Sequence, residues 1–312
     1  MSKQKFLDKR FTVQSTHLLA LAEKILVNYA AQGLDLSLRQ LYYQLIATAY
    51  DQLPDSWKDP KTGSKNNDSS YKKVGDLINN GRLAGLIDWD MLTDRGRVVD
   101  RLGMWDDPVD RLQWAAKTHR LDKWLDQPNL VWVMIEKQAL EGVMIPVCRS
   151  VEVPFIANKG YSSASIMYEI GRELRRHRNH GQDIHVLYLG DHDPSGLDIA
   201  HDVQTRLELF SEGTVEVHRL ALNYDQIELY NPPPNPAKQT DSRYAAYVDE
   251  WGEECWELDA LTPTVLRDLV RDAVDELRDR ELWDESMQEQ DDQKEKLTNL
   301  AARVQTGKVK LV

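Results

Sequence analysis

Two periods of apolar residues alternate along this 312-residue chain, and it divides where one gives way to the other. From residue 12 to 50 the period is helical. Leu18, Leu19, Leu21, Ala22, Ile25, Leu26 and Tyr29 fall on one face of a first helix, which Gly33 ends. Ser37 suits the N-cap of a second helix running through LRQLYYQLIATAY. Residues 51–70 are polar and rich in turn formers, so they read as a loop. A third helix, YKKVGDLINNGRLAGL, begins at Tyr71 and carries Lys72, Lys73 and Arg82. LIDWDMLTDRGR, with Arg95 and Arg97, closes the unit. Three helices, the third basic, with short extended flanks predict a winged helix-turn-helix over residues 1–126. Such a unit sets one helix in a DNA groove and braces the phosphate backbone with the rest.

Beyond residue 127 the pattern changes. LVWVMI, VEVPFIA, IHVLYLG and TVEVHRLAL are apolar runs of strand length, and helical stretches separate them. Strands apolar on both faces, alternating with helices, predict a mainly parallel Rossmann-like sheet over residues 127–235. The proline-rich loop YNPPPNPAKQTDSR follows. A helical, acidic extension then occupies residues 236–312, with Thr262 as an N-cap and Pro263 at the first helical position. DESMQEQDDQKEK reads as a solvated helix face. The fold class is multidomain α/β.

Composition narrows the setting. No apolar run is long enough to span a bilayer, and MSKQKFLDKRF lacks the apolar core of a secretory signal, so no membrane partner is expected. Cys148 and Cys255 are too few for a disulfide framework or a cysteine-rich zinc site, which fits a reducing cytoplasm. Net charge is −12, unevenly spread: +2 over residues 1–126, −5 over 127–240 and −9 over 241–312. Phosphates therefore meet least repulsion at the first unit. The histidines, His17 and His185 among them, show no ligand spacing along the chain and read as structural.

The candidate chemistry lies where strands end. Ligands of parallel α/β sheets sit beyond the carboxyl ends of the strands. Glu136 follows LVWVMI there, and Asp191 and Asp193 follow IHVLYLG. Two carboxylates two residues apart repel by roughly 3 kcal/mol at ~5 Å and an effective dielectric near 20. A cation between them removes that cost, and Mg2+ prefers carboxylate and phosphate oxygens. His192, inside the same turn, reads as tolerated on an exposed loop, with a phosphate contact as the alternative. Asp198 either joins the metal shell or favours the following helix.

IEKQAL, NKGYSS and GDHDPSGLDI, in that order, resemble the Toprim domain over residues 128–222. Within it they resemble the type found in the DNA-cleaving chain of topoisomerase VI and in the meiotic double-strand-break protein. LSLRQLYYQL resembles the segment of that family that carries the DNA-cleaving tyrosine. The resemblance implies Tyr43 as nucleophile, Arg39 as a phosphate contact, and Glu136, Asp191 and Asp193 as ligands of Mg2+, which Mn2+ can replace. Lys137 and Lys159 are then phosphate partners. It also implies a homodimer acting on double-stranded DNA and, because no GxxxxGK[ST] loop exists, a separate ATPase subunit for any strand passage. Two alternatives stay open: a Toprim endonuclease that uses water instead of tyrosine, and a non-catalytic DNA-binding subunit. The shortness of the chain, the acidic tail and His192 depart from the family pattern.

Overall fold

The computed structural model describes residues 3–34, 36–92, 103–158 and 162–307. Four strands, β1 (Asn129–Ile135), β2 (Phe155–Ala157), β3 (Asp183–Leu189) and β4 (Glu216–Ala221), form one sheet in the order β2-β1-β3-β4. Every pairing in it is parallel, as the alternation of strands and helices predicts. From Leu130 to Ile135 every residue of β1 is buried, which is why its sequence is apolar throughout rather than alternating.

The N-terminal helices α1 (Val13–Ala30), α2 (Leu38–Ala49) and α3 (Asp68–Leu83) follow the sequence closely. Thr12 caps α1, and Ser37 caps α2 with Gln40 completing a capping box. α3 begins earlier than Tyr71, because Asn67 supplies its cap. α2 buries eight of its twelve residues, so it is an interior helix rather than an amphipathic surface one. Among the described residues this unit has a single bridge, between Leu36 and Leu92, and no hairpin wing. Arg95, Arg97 and Lys159 lie outside the described residues. A fourth helix, α4 (Pro108–Thr118), precedes the sheet, and the apolar pattern does not announce it.

The connections between strands fix where a site can form. α5 (Glu141–Ser150) carries the chain from β1 outward to β2. α6 (Ala164–Asn179) brings it back across β1 to β3, and α7 (Pro194–Ser211) continues to β4. The chain thus leaves neighbouring β1 and β3 in opposite directions. Right-handed crossovers then put α5 on one face of the sheet and α6 and α7 on the other. Two short helices, α8 (Tyr224–Tyr230) and α9 (Tyr244–Trp251), lead from β4 into the extension, which holds α10 (Pro263–Leu277) and α11 (Arg280–Gln305). α6 and α7 pack together, while α5 packs on α10. The crevice between the carboxyl ends of β1 and β3 is the topological switch point. Buried apolar residues from Leu18 to Val274 form one contiguous core that unites the N-terminal helices, the sheet and α10.

Most of DESMQEQDDQKEK is exposed on α11, as a solvated face requires, yet this helix is anchored at a few points. α11 lies against α4. Trp283 meets Trp124 edge-on, and Gln290 is buried, accepting from Leu121 N at 3.0 Å and Lys123 Nζ at 3.0 Å. The basic run at the end of α6 also has internal work: Arg178 donates to the Ser211 carbonyl at 2.7 Å, capping α7.

α6 and α7 approach closely at Gly171. A Cβ there would stand 2.4 Å from Phe210 Cβ and 2.9 Å from the Phe210 carbonyl carbon. We expect Gly171→Ala to cost about 1–3 kcal/mol by forcing the helices apart. Urea denaturation checks this, and unchanged stability would show that the contact yields freely.

Candidate functional site

Glu136 and Asp191 leave adjacent strands, since Ile135 pairs with Leu189 in the β1–β3 register. Glu136 Oε2 accepts the Asp191 N–H at 3.0 Å. Gly190 makes this possible: a Cβ on it would come within 2.8 Å of both Glu136 Oε2 and Tyr188 Oη. Asp193 is the N-cap of α7, and its Oδ1 accepts from Gly196 N at 2.6 Å and Ser195 Oγ at 3.0 Å. The cap leaves Oδ2 uncommitted. Gly196 is required by the same turn, because a Cβ there would meet the Asp191 carbonyl oxygen at 2.3 Å.

A segment far along the chain completes the edge. Trp256 and His192 exchange backbone hydrogen bonds at 2.9 and 3.0 Å, which lays residues 255–259 along the strand ends. Leu258 N donates to Asp191 Oδ1 at 2.8 Å. Lys137 Nζ then sits among three carboxylates: Asp191 Oδ2 at 2.8 Å, Glu257 Oε2 at 2.9 Å and Asp259 Oδ2 at 3.6 Å. Arg39, from α2, grips Glu257 with Nη2 at 2.9 and 2.8 Å and has Nε 3.3 Å from Asp259. On the other side Arg219 donates to the Asp191 carbonyl at 2.6 Å and the Gly196 carbonyl at 3.0 Å, fixing the turn.

Electrostatics follow from this crowding. Burial pushes Glu136, Asp191 and Asp259 above the usual carboxylate range. Burial acts the same way on Glu257, yet Lys137 and Arg39 outweigh it and hold that carboxyl low. Lys137 is half-buried, which opposes its charge, but Asp191, Asp259 and Glu257 keep it firmly protonated. Both oxygens of Asp259 are buried without a hydrogen bond, as is Tyr188 Oη. Glu136, Asp191, Asp193, Glu257 and Asp259 thus face Lys137, Arg39 and Arg219, leaving room for two further positive charges when all are ionised. The donor set is all oxygen, which suits Mg2+ or Mn2+. Both oxygens of Asp191 already have partners, and among the described residues Glu136, Asp191 and Asp193 do not bring three ligand atoms within 4.8 Å of one another.

Of the two tyrosines on α2, Tyr42 spends its hydroxyl on the Lys65 and Asn67 backbone. Tyr43 does not. Its ring lies 5.9 Å from Arg39 Cζ, and its hydroxyl belongs to the Arg39–Glu257 neighbourhood, where burial raises its pKa despite Arg39 and Lys137. Three adjoining cavities meet at Arg39. One of about 420 Å³ is lined by Glu136, Lys137, Glu257 and Asp259, and one of about 70 Å³ by Tyr43 and Glu257. The third, about 600 Å³, runs between α2, the Tyr71, Gly75 and Arg82 side of α3, and the start of α5.

The other residues that the sequence singles out fall elsewhere or are engaged. Lys72 is exposed on α3, while Lys73 reaches the Ser56 carbonyl at 3.4 Å. Arg82 donates to the Trp89 and Leu92 carbonyls. Asp198 pairs with Arg243 at 2.8 Å and stays out of the acid cluster. His192 is not on an exposed turn. It is buried among Tyr224, Tyr247, Trp251 and Trp256, bonded to Tyr247 Oη at 2.9 Å, and burial lowers its pKa to about 4. Glu257 and Asp259 escape the sequence reading. Their signal is the run WELD, in which acids alternate with large apolar residues instead of clustering as on a solvated face.

Fold and site together define an α/β protein with a cation-bridged acidic edge at the switch point of a parallel sheet. No family model matches the chain, and no curated protein or solved structure matches it either.

Lys137→Met would leave Asp191, Glu257 and Asp259 facing one another with only Arg39 paired to them directly. Removing one member of a buried ionic network costs about 3–5 kcal/mol. We expect a loss at the lower end, measured by urea denaturation, and partial recovery when Asp259→Asn is added. Equal stability of the single and double variants would show that the two groups are not coupled.

Proposed function

We propose that this protein is a Mg2+-dependent DNA-cleaving transesterase resembling the cleaving chain of topoisomerase VI, with Tyr43 as nucleophile. The carrying observation is the convergence at Arg39: the acid edge, the Tyr43 slot and the α3 groove adjoin one another around that guanidinium. Bound Mg2+ supplies charge stabilisation at the phosphoryl oxygens. Glu136 and Asp193 would hold it, with Asp191 orienting Lys137. The Tyr43 oxygen bonds to phosphorus while a deoxyribose oxygen leaves and takes up a proton. Glu257, which lines the Tyr43 slot, is our candidate acceptor for the phenol proton. Arg39 and Lys137 offset the charge that develops on phosphate. α1–α3 form the DNA-binding unit of this reading, with winged-helix character, Lys72 and Lys73 contacting the duplex and Arg82 bracing the groove. Homodimerisation and a separate ATPase partner belong to the same proposal.

The burial of Tyr43 favours one competing reading, a Toprim endonuclease in which water attacks and the tyrosine only packs. Tyr43→Phe decides between them. It removes a hydroxyl and keeps the ring, so stability should fall by about 1 kcal/mol or less. With supercoiled plasmid and Mg2+, we expect this variant to give neither nicks nor protein-linked ends. Persistent nicking with free ends by folded Tyr43→Phe would end the transesterase reading and leave the hydrolytic one. Glu136→Gln and Asp193→Asn should abolish cleavage in either case. Asn remains a good N-cap, so loss of activity in Asp193→Asn would not reflect a loosened α7.

The DNA surface has its own test. Lys72→Glu with Lys73→Glu should weaken duplex binding without regard to sequence. Each lost phosphate contact should flatten the logarithmic salt dependence by about 0.9. An unchanged slope would move the DNA surface away from α3.

A further inference from the structure

At the opposite end of the sheet, three side chains that lie apart in sequence meet on one face. His185 stands near the start of β3, opposite Glu216 in the β3–β4 register, and His218 is two residues further along β4. Alternation along a strand puts Glu216 and His218 on the same side. His185 Nδ1 lies 3.0 Å from His218 Nε2 and 3.4 Å from Glu216 Oε2, and His218 Nε2 lies 3.7 Å from that oxygen. Tetrahedral bonds of ~2.05 Å to nitrogen and oxygen place neighbouring ligand atoms about 3.4 Å apart. The triangle therefore has the size of one face of a zinc coordination tetrahedron.

Outer contacts set which atom of His185 is free to bind. Asn129 Nδ2 donates to the Leu277 carbonyl at 2.7 Å, which turns its Oδ1 toward His185 Nε2 at 3.2 Å. Nε2 therefore carries the proton, and Nδ1 presents its lone pair to Glu216 and His218. Metal-bound histidines are commonly held this way, by a hydrogen bond from the far nitrogen. Burial of His185 lowers its pKa and so keeps the ring neutral. Glu216 and His218 are more exposed, leaving the fourth position toward solvent.

We propose that His185, Glu216 and His218 form a second metal site, of the zinc class, with three protein ligands and an open fourth position. Nitrogen ligands select a transition ion over Mg2+. Six residues of strand, about 20 Å, separate His185 from Asp191, so this site is independent of the acid edge and of the reaction proposed there. A bound ion would tie β3 to β4 at their amino ends.

The test uses the full-length protein with any affinity-tag histidines removed, stripped with EDTA and carrying Glu136→Gln and Asp193→Asn to silence the acid edge. Zn2+ is titrated against a chromophoric chelator, and Co2+ is added separately for its visible spectrum. We expect one Zn2+ per chain and the intense absorption of tetrahedral Co2+. His218→Ala, checked for folding by circular dichroism, should weaken Zn2+ at least about 100-fold and remove that absorption. Asn129→Ala should weaken it about 10-fold. Absence of Zn2+ binding, binding unaffected by His218→Ala, or only the weak octahedral Co2+ spectrum would overturn the site and leave an ordinary histidine–histidine hydrogen bond.

Discussion

The Lys137 ammonium is the pin of this molecule. It joins the end of β1 to the end of β3 through Asp191, and both to the distant segment 255–259 through Glu257 and Asp259. At 2.8–2.9 Å and an effective dielectric near 20, each such contact gives roughly 6 kcal/mol of attraction before desolvation is subtracted. Without the cation, three carboxylates would share one buried crevice. Arg39 repeats the device one layer further out and thereby hangs α2 on the same acids. The position of Tyr43 is thus a consequence of ion pairing at the sheet edge as much as of helix packing.

Local chemistry explains which parts were legible in advance. Uniformly apolar runs announce the central buried strands β1 and β3, and Ser37 and Thr262 announce two helix starts. Glu136 and Asp191 are readable because a parallel sheet sends both of their strands to the same edge. Asp193, read from the sequence as a metal ligand, is the N-cap of α7 in the structure, and both roles demand the same residue type. Glu257 and Asp259 are illegible for another reason: their placement depends on the bridge between His192 and Trp256, which joins segments far apart in the chain. His192 itself is misread because all four aromatic residues that bury it come later in the chain. The His185, Glu216 and His218 triangle is hidden likewise, since strand register rather than chain spacing brings it together.

The same kind of long-range contact ties the acidic extension to a chain already negative. α11 neutralises little by itself. It instead buries Gln290 against Lys123, whose ammonium also reaches Glu152 at 2.7 Å. A lysine with no exposed side-chain surface demands several acceptors at once, and the extension supplies one of them. Charge along this chain is therefore a poor guide to charge in space.

That difference bears on how a polyanion would reach the acid edge. Its carboxylates repel phosphate, and the cations among them are already paired. An incoming phosphodiester gains nothing from Lys137 or Arg39 unless it displaces a carboxylate from them, or unless a divalent ion takes the carboxylates over. Of these, the second route costs less, because the acids exchange one cation for another instead of being left unpaired. Were a divalent ion to take Glu257 and Asp259 as well as Glu136 and Asp193, its binding and the release of Lys137 and Arg39 toward phosphate would be one coupled event. Arg39, bound to Glu257 on one side and bordering the α3 groove on the other, is the residue through which that exchange would be felt by the helices.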